Sequence, residues 1–227
     1  ERGGWFSRRN CARRVLFVDI MQISTTIEND GKRGLKYRNM TKKEIIWREV
    51  LYQSRVHKKN IFTQKKLAEQ FGVSLSTVFN ALKVPREANI IRMTGRGFTL
   101  ESYAKLLYLW ASNRSIERDM LQKVYAPANV STLEGSMPPG VVFGLYSAFK
   151  IAFKTAPAEY DHLYIYVAEE NIPVVMARLN LVDAALKRGT QPNVFLLKQD
   201  PRLKEYGREY TPLEQTFVDL WNAPEWY

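Results

Sequence analysis

Residues 63 to 83, TQKKLAEQFGVSLSTVFNALK, constrain the fold more than any other stretch of this 227-residue chain. Apolar residues recur from Leu67 to Phe71 at the spacing of a helix with one buried face. Gly72 can adopt the left-handed conformation that ends such a helix, and Ser74 can cap the next one. The segment therefore predicts two short helices joined by a tight turn. The residues expected to face inward are Ala68 in the first helix and Val78, Ala81 and Leu82 in the second.

The neighbouring residues extend this pattern on both sides. Thr41 is an expected N-cap with Glu44 three residues on, which predicts a preceding helix. Residues 89 to 101, NIIRMTGRGFTLE, contain two β-rich runs around the turn TGRG and predict a β-hairpin. Three helices followed by a hairpin is the order of a winged helix, and Arg96 would lie at the tip of its wing.

A helix-turn-helix places its second helix in the major groove of DNA, while the first helix braces it. With Val78 inward, the helix at residues 74 to 83 turns its other face outward. Asn80 could pair with adenine, while Leu75 and Phe79 would either touch thymine methyl groups or be buried against the second half of the chain. The residues expected to contact DNA from this helix are Ser74, Leu75, Ser76, Thr77, Phe79, Asn80 and Lys83. Those expected to hold phosphates are Thr63, Gln64, Lys65, Lys66, Arg92 and Arg96. For Arg92 and the lysines, a merely solvated face is the alternative.

The charge of the chain is unevenly distributed. Residues 1 to 126 contain 25 Lys and Arg against 11 Asp and Glu, whereas residues 127 to 227 contain 9 against 12. The halves therefore carry formal charges of +14 and −3, which account for the net +11. Because clustered positive charge binds polyanions through counterion release, the first half is expected to face double-stranded DNA. A basic but solvated surface is the alternative.

Several functional classes are disfavoured by composition. The single cysteine, Cys11, excludes an intramolecular disulfide framework and a thiolate cluster for zinc or iron–sulfur chemistry. His57 and His162 have no second His or Cys near them in the sequence, so neither a metal nor another cofactor is expected. The apolar run at residues 15 to 23 is short and is interrupted by Asp19, so a cytoplasmic location without a membrane partner is expected.

Pro127 and the stretch STLEGSMPPG, residues 131 to 140, are typical of a boundary between domains. The expected fold class is α+β, with an N-terminal winged helix-turn-helix followed by an α/β, nucleotidyltransferase-like domain. The expected divisions are an extension of unknown role at 1–39, the winged helix at 40–101, a helix at 102–126 that connects the halves, and an α/β domain for sensing, dimerisation or partner binding at 127–227.

Within the second half, strands are expected at residues 162 to 168 and 193 to 198, and a helix at 172 to 182. The stretch at 141 to 153 mixes a buried strand with a helix. A final helix is expected from residue 212 and is expected to continue past the end of the chain. Its apolar residues at near-helical spacing, which predict a core or dimer surface, are Phe217, Leu220, Trp221 and Trp226.

An enzymatic alternative arises near Asp161. Nucleotidyltransferases place two carboxylates one residue apart on a strand, where they hold Mg²⁺. Leu163 stands two residues after Asp161 and cannot ligate a hard cation, although Glu159, two residues before it, could supply the partner. We therefore expect a nucleotidyltransferase-like scaffold with no catalytic or metal-ligating residues, and Asp161 as a turn or strand-start residue. A nucleotidyltransferase guided to nucleic acid by its winged helix is the rival, and a pure protein-interaction module is a third possibility.

Residues 63 to 83 resemble bacterial and archaeal winged-helix transcription regulators. The stretches KLLYLWASNR at 105–114, AEYDHLYIYV at 158–167 and YTPLEQTFVDLWNAPEWY at 210–227 are similar to archaeal-type regulators related to the antitoxins of AbiE-type toxin–antitoxin systems. This resemblance implies a DNA-binding transcription regulator, such as an antitoxin-like repressor. It also implies a homodimer, with a toxin or another protein as a further partner.

Overall fold

The computed structural model describes residues 40–179, 191–206 and 209–224. Within these ranges the chain is α+β, with eight α-helices and two sheets, which confirms the expected fold class at this level. The expected extension at residues 1–39 lies outside the described residues. The helices are α1 Lys42–His57, α2 Gln64–Phe71, α3 Leu75–Glu87, α4 Tyr103–Asn113, α5 Val130–Ser136, α6 Leu145–Phe153, α7 Ile172–Arg178 and α8 Leu213–Trp221. The strands are β1 Ile61–Phe62, β2 Ile91–Thr94, β3 Gly97–Leu100, β4 Met120–Val124, β5 Val142–Phe143, β6 Leu163–Val167 and β7 Val194–Lys198.

Helix ends in the first half follow the local sequence. Thr41 and Glu44 form the predicted capping box, in which the backbone N–H of Glu44 donates to Thr41 Oγ1 at 3.3 Å and that of Thr41 donates to Glu44 Oε2 at 2.9 Å. Gly72 ends α2 in the left-handed conformation, with φ of 58°. Ser74 Oγ accepts the backbone N–H of Thr77 at 3.2 Å and caps α3. The predicted inner residues of α3, Val78, Ala81 and Leu82, are buried.

Helix α3 runs further than predicted, through Pro85 to Glu87 instead of ending at residue 83. Proline has no N–H, so the carbonyl of Ala81, four residues before it, loses its donor within the helix. The buried indole N–H of Trp47 in α1 donates to this carbonyl instead, at 2.8 Å. A side chain from another helix therefore satisfies the acceptor and allows α3 to continue past the proline.

The first sheet has three antiparallel strands in the order β1–β3–β2. The β2–β3 pair confirms the predicted hairpin, whereas the two-residue strand β1 is too short to show in sequence periodicity. β1 lies against β3 at Gly97, where a Cβ would overlap the carbonyl oxygen of Phe62. At Gly95, in the turn, a Cβ would meet nothing. Of these two glycines, Gly97 is therefore the one that packing requires.

The predicted connecting helix at residues 102–126 is too long. α4 ends at Asn113, and Arg114 after it is extended and turns its side chain into the interior. Residues 120–124 form β4, at the edge of the second sheet. α4 packs against α1. No helix in the described ranges is long and apolar enough to cross a membrane.

The second sheet has the order β4–β7–β6–β5, with β6 and β7 parallel and the other pairs antiparallel. All five residues of β6 are buried because both faces of the sheet are covered. Leu163, Ile165 and Val167 face α5 and α7, whereas Tyr164 and Tyr166 face α6. The strands predicted in this half and the helices α6 and α7 are confirmed, although residues 180–182 of the predicted helix lie outside the described residues.

Helix α8 belongs to both halves of the structure. Val218 is part of the core formed by α1 to α4 and the first sheet, and Leu220 packs with the core on the α6 face of the second sheet. The Glu214 carboxylate accepts hydrogen bonds from Arg55 of α1. The helix ends at Trp221, so the prediction that it continues past the end of the chain is wrong.

Candidate nucleic-acid interface

The outer face of α3 carries the exposed residues that its periodicity predicted. Leu75 is 55% exposed and Phe79 is 45% exposed, so neither is buried against the rest of the described chain. Ser76, Asn80 and Lys83 are exposed on the same helix, and Thr77 is half-buried. An apolar and polar mixture thus projects from one side of α3, while its other side lies in the core.

The start of α3 is rich in hydroxyl groups. Ser74 Oγ lies 2.8 Å from Ser76 Oγ and 2.9 Å from Thr77 Oγ1, in addition to its capping bond. Ser74 is therefore engaged in holding the helix start. The first turn of α3 contains no acidic residue, so its positive dipole end is not neutralised locally.

The second half of α3, the start of α2 and β2 meet around a shallow depression. Arg86 lies over Phe79, with its guanidinium carbon 5.6 Å from the ring centroid. Of the predicted residues, Gln64, Phe79 and Lys83 are brought together here. The complete lining is Gln64, Phe79, Leu82, Lys83, Arg86 and Met93.

Arg86 and Met93 were missed by sequence reasoning. Arg86 follows Phe79 by seven residues and Lys83 by three, so helical spacing puts all three on one face. This spacing is present in the sequence, but it places Arg86 beside Phe79 only if α3 continues past Pro85. Met93 is placed at the depression by the hairpin, which local periodicity does not reveal.

The expected phosphate contacts of α2 differ in their surroundings. Thr63 is half-buried, and its hydroxyl accepts the backbone N–H of Lys66 at 3.4 Å as a helix cap. Lys65 and Lys66 are both exposed. Lys65 Nζ lies 3.9 Å from Glu69 Oε1 in a solvent-exposed pair, which attenuates its positive field only weakly.

The two arginines of the β2–β3 hairpin are not equivalent. Arg92 Nε donates to Glu101 Oε1 at 2.7 Å, and both side chains are exposed. A phosphate would therefore have to compete with this carboxylate. Arg96 is exposed in the turn beside Gly95, at the tip of the hairpin. Of the two, Arg96 is better placed to contact a phosphate.

A buried polar cluster joins α1 to the loop after β7. Arg48 is fully buried, and its Nη1 donates to Asp200 Oδ2 at 2.6 Å and to Gln215 Oε1 at 2.9 Å. Its Nε donates to the hydroxyl of Tyr206, which in turn donates to Glu49 Oε2 at 2.9 Å. The helix that supports α3 is thus bonded to residues near the end of the chain.

A second buried cluster surrounds Arg114, the residue that follows α4. Its Nη1 lies 2.6 Å from Asp119 Oδ2, and its Nε donates to Asp219 Oδ1 at 2.9 Å. Tyr166 of β6 donates to Asp219 Oδ2 at 2.6 Å. Burial raises the pKa of Asp119 to about 6, although Arg114 acts in the opposite direction. These contacts connect α4, β6 and α8.

The residues of the enzymatic alternative do not form a carboxylate pair on a strand. The side chain of Asp161 is 80% exposed and lies 3.2 Å from Nδ1 of His162, before β6 begins. Leu163 is buried, and Glu159 is exposed in the preceding loop. No group of three or more His, Cys, Asp or Glu that could hold a metal ion occurs among the described residues. That the chain lacks nucleotidyltransferase activity stays a prediction.

Residues 42–102 match the model of a family described as Firmicute plasmid replication protein (RepL), a family of the DNA-binding winged-helix type. The match spans α1 to β3 and so contains the whole interface described above. It supports the coarse expectation of DNA binding. No curated protein and no solved structure matches the chain. The likeness to archaeal regulators, antitoxins and nucleotidyltransferases gains no support from the comparisons and stays a prediction.

Proposed function

We propose that this chain binds specific sequences in double-stranded DNA through a winged helix formed by α1 to β3. The observation that carries the proposal is the outer face of α3, where half-exposed apolar side chains alternate with polar ones beside a row of cations. The match of residues 42–102 to a family of plasmid replication proteins supports it. In this reading α3 enters the major groove, and the hairpin tip lies along the backbone or the minor groove.

The side chains divide into two roles. Asn80 can pair with the edge of adenine, and Leu75 and Phe79 can contact thymine methyl groups. Cations at the rim hold phosphates and set the register without reading sequence. The rim residues are Lys65, Lys66, Lys83, Arg86 and Arg96.

Binding to a specific DNA sequence would suit either of two cellular roles. The family match favours a DNA site connected with plasmid replication. The likeness of residues 63–83 to winged-helix transcription regulators favours control of transcription. We place replication first because the match extends over all of α1 to β3. We also propose that the chain is not an enzyme, a view supported by the exposed position of Asp161 and by the buried Leu163 in place of a second carboxylate.

The proposal is tested by selecting bound duplexes from a random library with the full chain, followed by anisotropy titrations on the selected and a scrambled duplex. Asn80→Ala should cost about 1 to 3 kcal/mol on the selected site and little on the scrambled one. Lys66→Ala should weaken both equally and reduce the salt slope by about one. Arg92→Ala, which removes a cation already paired with Glu101, is the matched control with a smaller loss.

Failure to enrich any duplex would refute the proposal. An equal loss for Asn80→Ala on both duplexes would refute sequence reading by α3 while leaving DNA binding intact.

The apolar part of the readout is tested separately. Replacing one thymine by uracil removes only its methyl group, whose burial is worth about 0.8 kcal/mol, or roughly fourfold in affinity. We expect this loss at thymines beneath Phe79 and expect it to vanish in Phe79→Ala. A loss of the same size in both proteins would show that Phe79 does not contact those methyl groups.

A further inference from the structure

Three aromatic side chains form a surface on α4 and α8, which we call the aromatic face. Tyr108 is 51% exposed and Trp221 is 59% exposed. Phe217 of α8 is half-buried and packs against the core formed by α1 to α4 and the first sheet. The ring centroids of Tyr108 lie 6.0 Å from Phe217 and 5.8 Å from Trp221. Tyrosine and tryptophan are, with arginine, the residues most enriched at the energetic centre of protein interfaces.

The charge of the aromatic face distinguishes between classes of partner. On α4 and α8 the only charged residue with an exposed side chain is Lys105, because Glu214 and Asp219 are buried. The face therefore lacks the row of cations that a nucleic acid requires. With Lys105 as its one exposed charge, the face also repels a second copy of this basic chain only weakly at the point of contact.

We infer that the aromatic face joins two copies of this chain about a two-fold axis, with α4 and α8 of one copy packed against the same helices of the other. A two-fold interface uses the same patch twice, so the patch must be self-complementary, and a nearly neutral aromatic patch satisfies this. α3 and the pair α4–α8 all pack on α1, and the outer face of α3 stays open. A dimer joined in this way presents two copies of α3.

This inference rests on the proposed function in one respect. A single α3 contacts only a few base pairs, whereas two copies read two half-sites about 34 Å apart, or a multiple of that distance. A second copy thus supplies recognition that an unrelated protein would not. The dimer surface expected in the final helix is then shared between α8 and α4.

The size of the aromatic face predicts the strength of the dimer. α4 is about 16 Å long and α8 about 13 Å, so two adjacent helices present roughly 300 Å² in projection. Stable interfaces bury about 800 Å² per partner, so the dimer should be weak in free solution. DNA with two half-sites should strengthen it, since each bound copy raises the local concentration of the other.

Sedimentation equilibrium of the full chain without DNA, from low micromolar to several hundred micromolar, tests the inference. The wild type should pass from monomer to dimer across this range. Trp221→Glu and Tyr108→Lys should each raise the dimer dissociation constant at least tenfold. Phe153→Ala, which removes a half-exposed aromatic ring from α6, is the matched control and should leave the constant unchanged. Circular dichroism verifies that each variant is folded.

A wild type that stays monomeric throughout, or a dimer that both charged variants leave intact, would overturn the inference. DNA binding by a strict monomer would refute the dimer and spare the proposed function. A dimer that binds no duplex would refute the proposed function and leave the dimer intact.

Discussion

The bond between Trp47 and the Ala81 carbonyl makes a specific prediction about Pro85. Trp47→Phe should destabilise the wild type strongly, because the variant loses the indole N–H that donates to this buried carbonyl. In a Pro85→Ala background, residue 85 regains an N–H at the helical position for the same acceptor. The cost of Trp47→Phe should therefore be smaller in that background.

The magnitude follows from two contributions. Leaving a buried carbonyl without a donor costs about 1 to 3 kcal/mol. Exchanging an indole for a smaller ring in a packed core adds roughly 1 to 2 kcal/mol through lost contacts and a residual cavity. Only the first contribution depends on residue 85, so the coupling energy of the double-mutant cycle should be about 1 to 2 kcal/mol.

Urea denaturation followed by far-ultraviolet circular dichroism measures this cycle without relying on tryptophan fluorescence. Trp110→Phe is the matched control, because Trp110 is also fully buried but its indole N–H has no acceptor among the described residues. Its cost should be independent of Pro85. Costs of Trp47→Phe that agree within about 0.5 kcal/mol in the two backgrounds would refute the explanation offered for the length of α3.

Three further predictions concern other parts of the chain. Gly97→Ala should lose about 1 to 3 kcal/mol of stability and weaken DNA binding, because its methyl group would push β1 away from β3. Gly95→Ala is the control and should have the melting temperature of the wild type. Equal melting temperatures for the two variants would contradict this explanation. Because burial raises the pKa of Asp119 from 3.8 to about 6, the native state holds this proton more tightly than the unfolded state. Its contribution to the free energy of unfolding is thus present below about pH 4 and lost as pH rises through about 6. Denaturation curves recorded across this pH range should show that Asp119→Asn removes this part of the pH dependence of the free energy of unfolding. Finally, the chain should transfer no labelled nucleotide to RNA or protein with Mg²⁺ and any nucleoside triphosphate; incorporation that disappears in Asp161→Ala would make it an enzyme.

Local chemistry accounts for the parts of the fold that sequence reasoning anticipated. The caps at Thr41 and Ser74 and the turn at Gly72 depend on contacts within a few residues, so their signals are complete in the sequence. The hairpin and the buried strand β6 are equally local, since alternation, turn residues and a continuous apolar run identify them. The outward direction of Leu75 and Phe79 followed from the same helical geometry.

The parts that were missed depend on residues far away in the chain. α3 continues past Pro85 where Trp47, from another helix, donates to the Ala81 carbonyl, and no local pattern encodes this contact. α4 ends early because Arg114 is drawn into a cluster with acidic residues 5 and 105 positions further on. Arg86 was missed because it follows Pro85, in the part of α3 that the sequence did not predict. Propensity sets the starting point for each element, and tertiary contacts decide its length.

The position of α8 at the end of the described sequence has a consequence for how the protein is made. The ribosome releases α1 through β3 first, but the carboxylates that pair with Arg48, Arg55 and Arg114 from a distance emerge only with residues 200 to 219. Until then Arg48, which is fully buried, lacks its Asp200 partner, and leaving such a buried cation unpaired costs about 3 to 5 kcal/mol. A nascent or prematurely terminated chain is therefore expected to have a less stable interior behind α3 than the complete fold has. Translation through α8 is therefore expected to stabilise the surface that we propose for DNA binding.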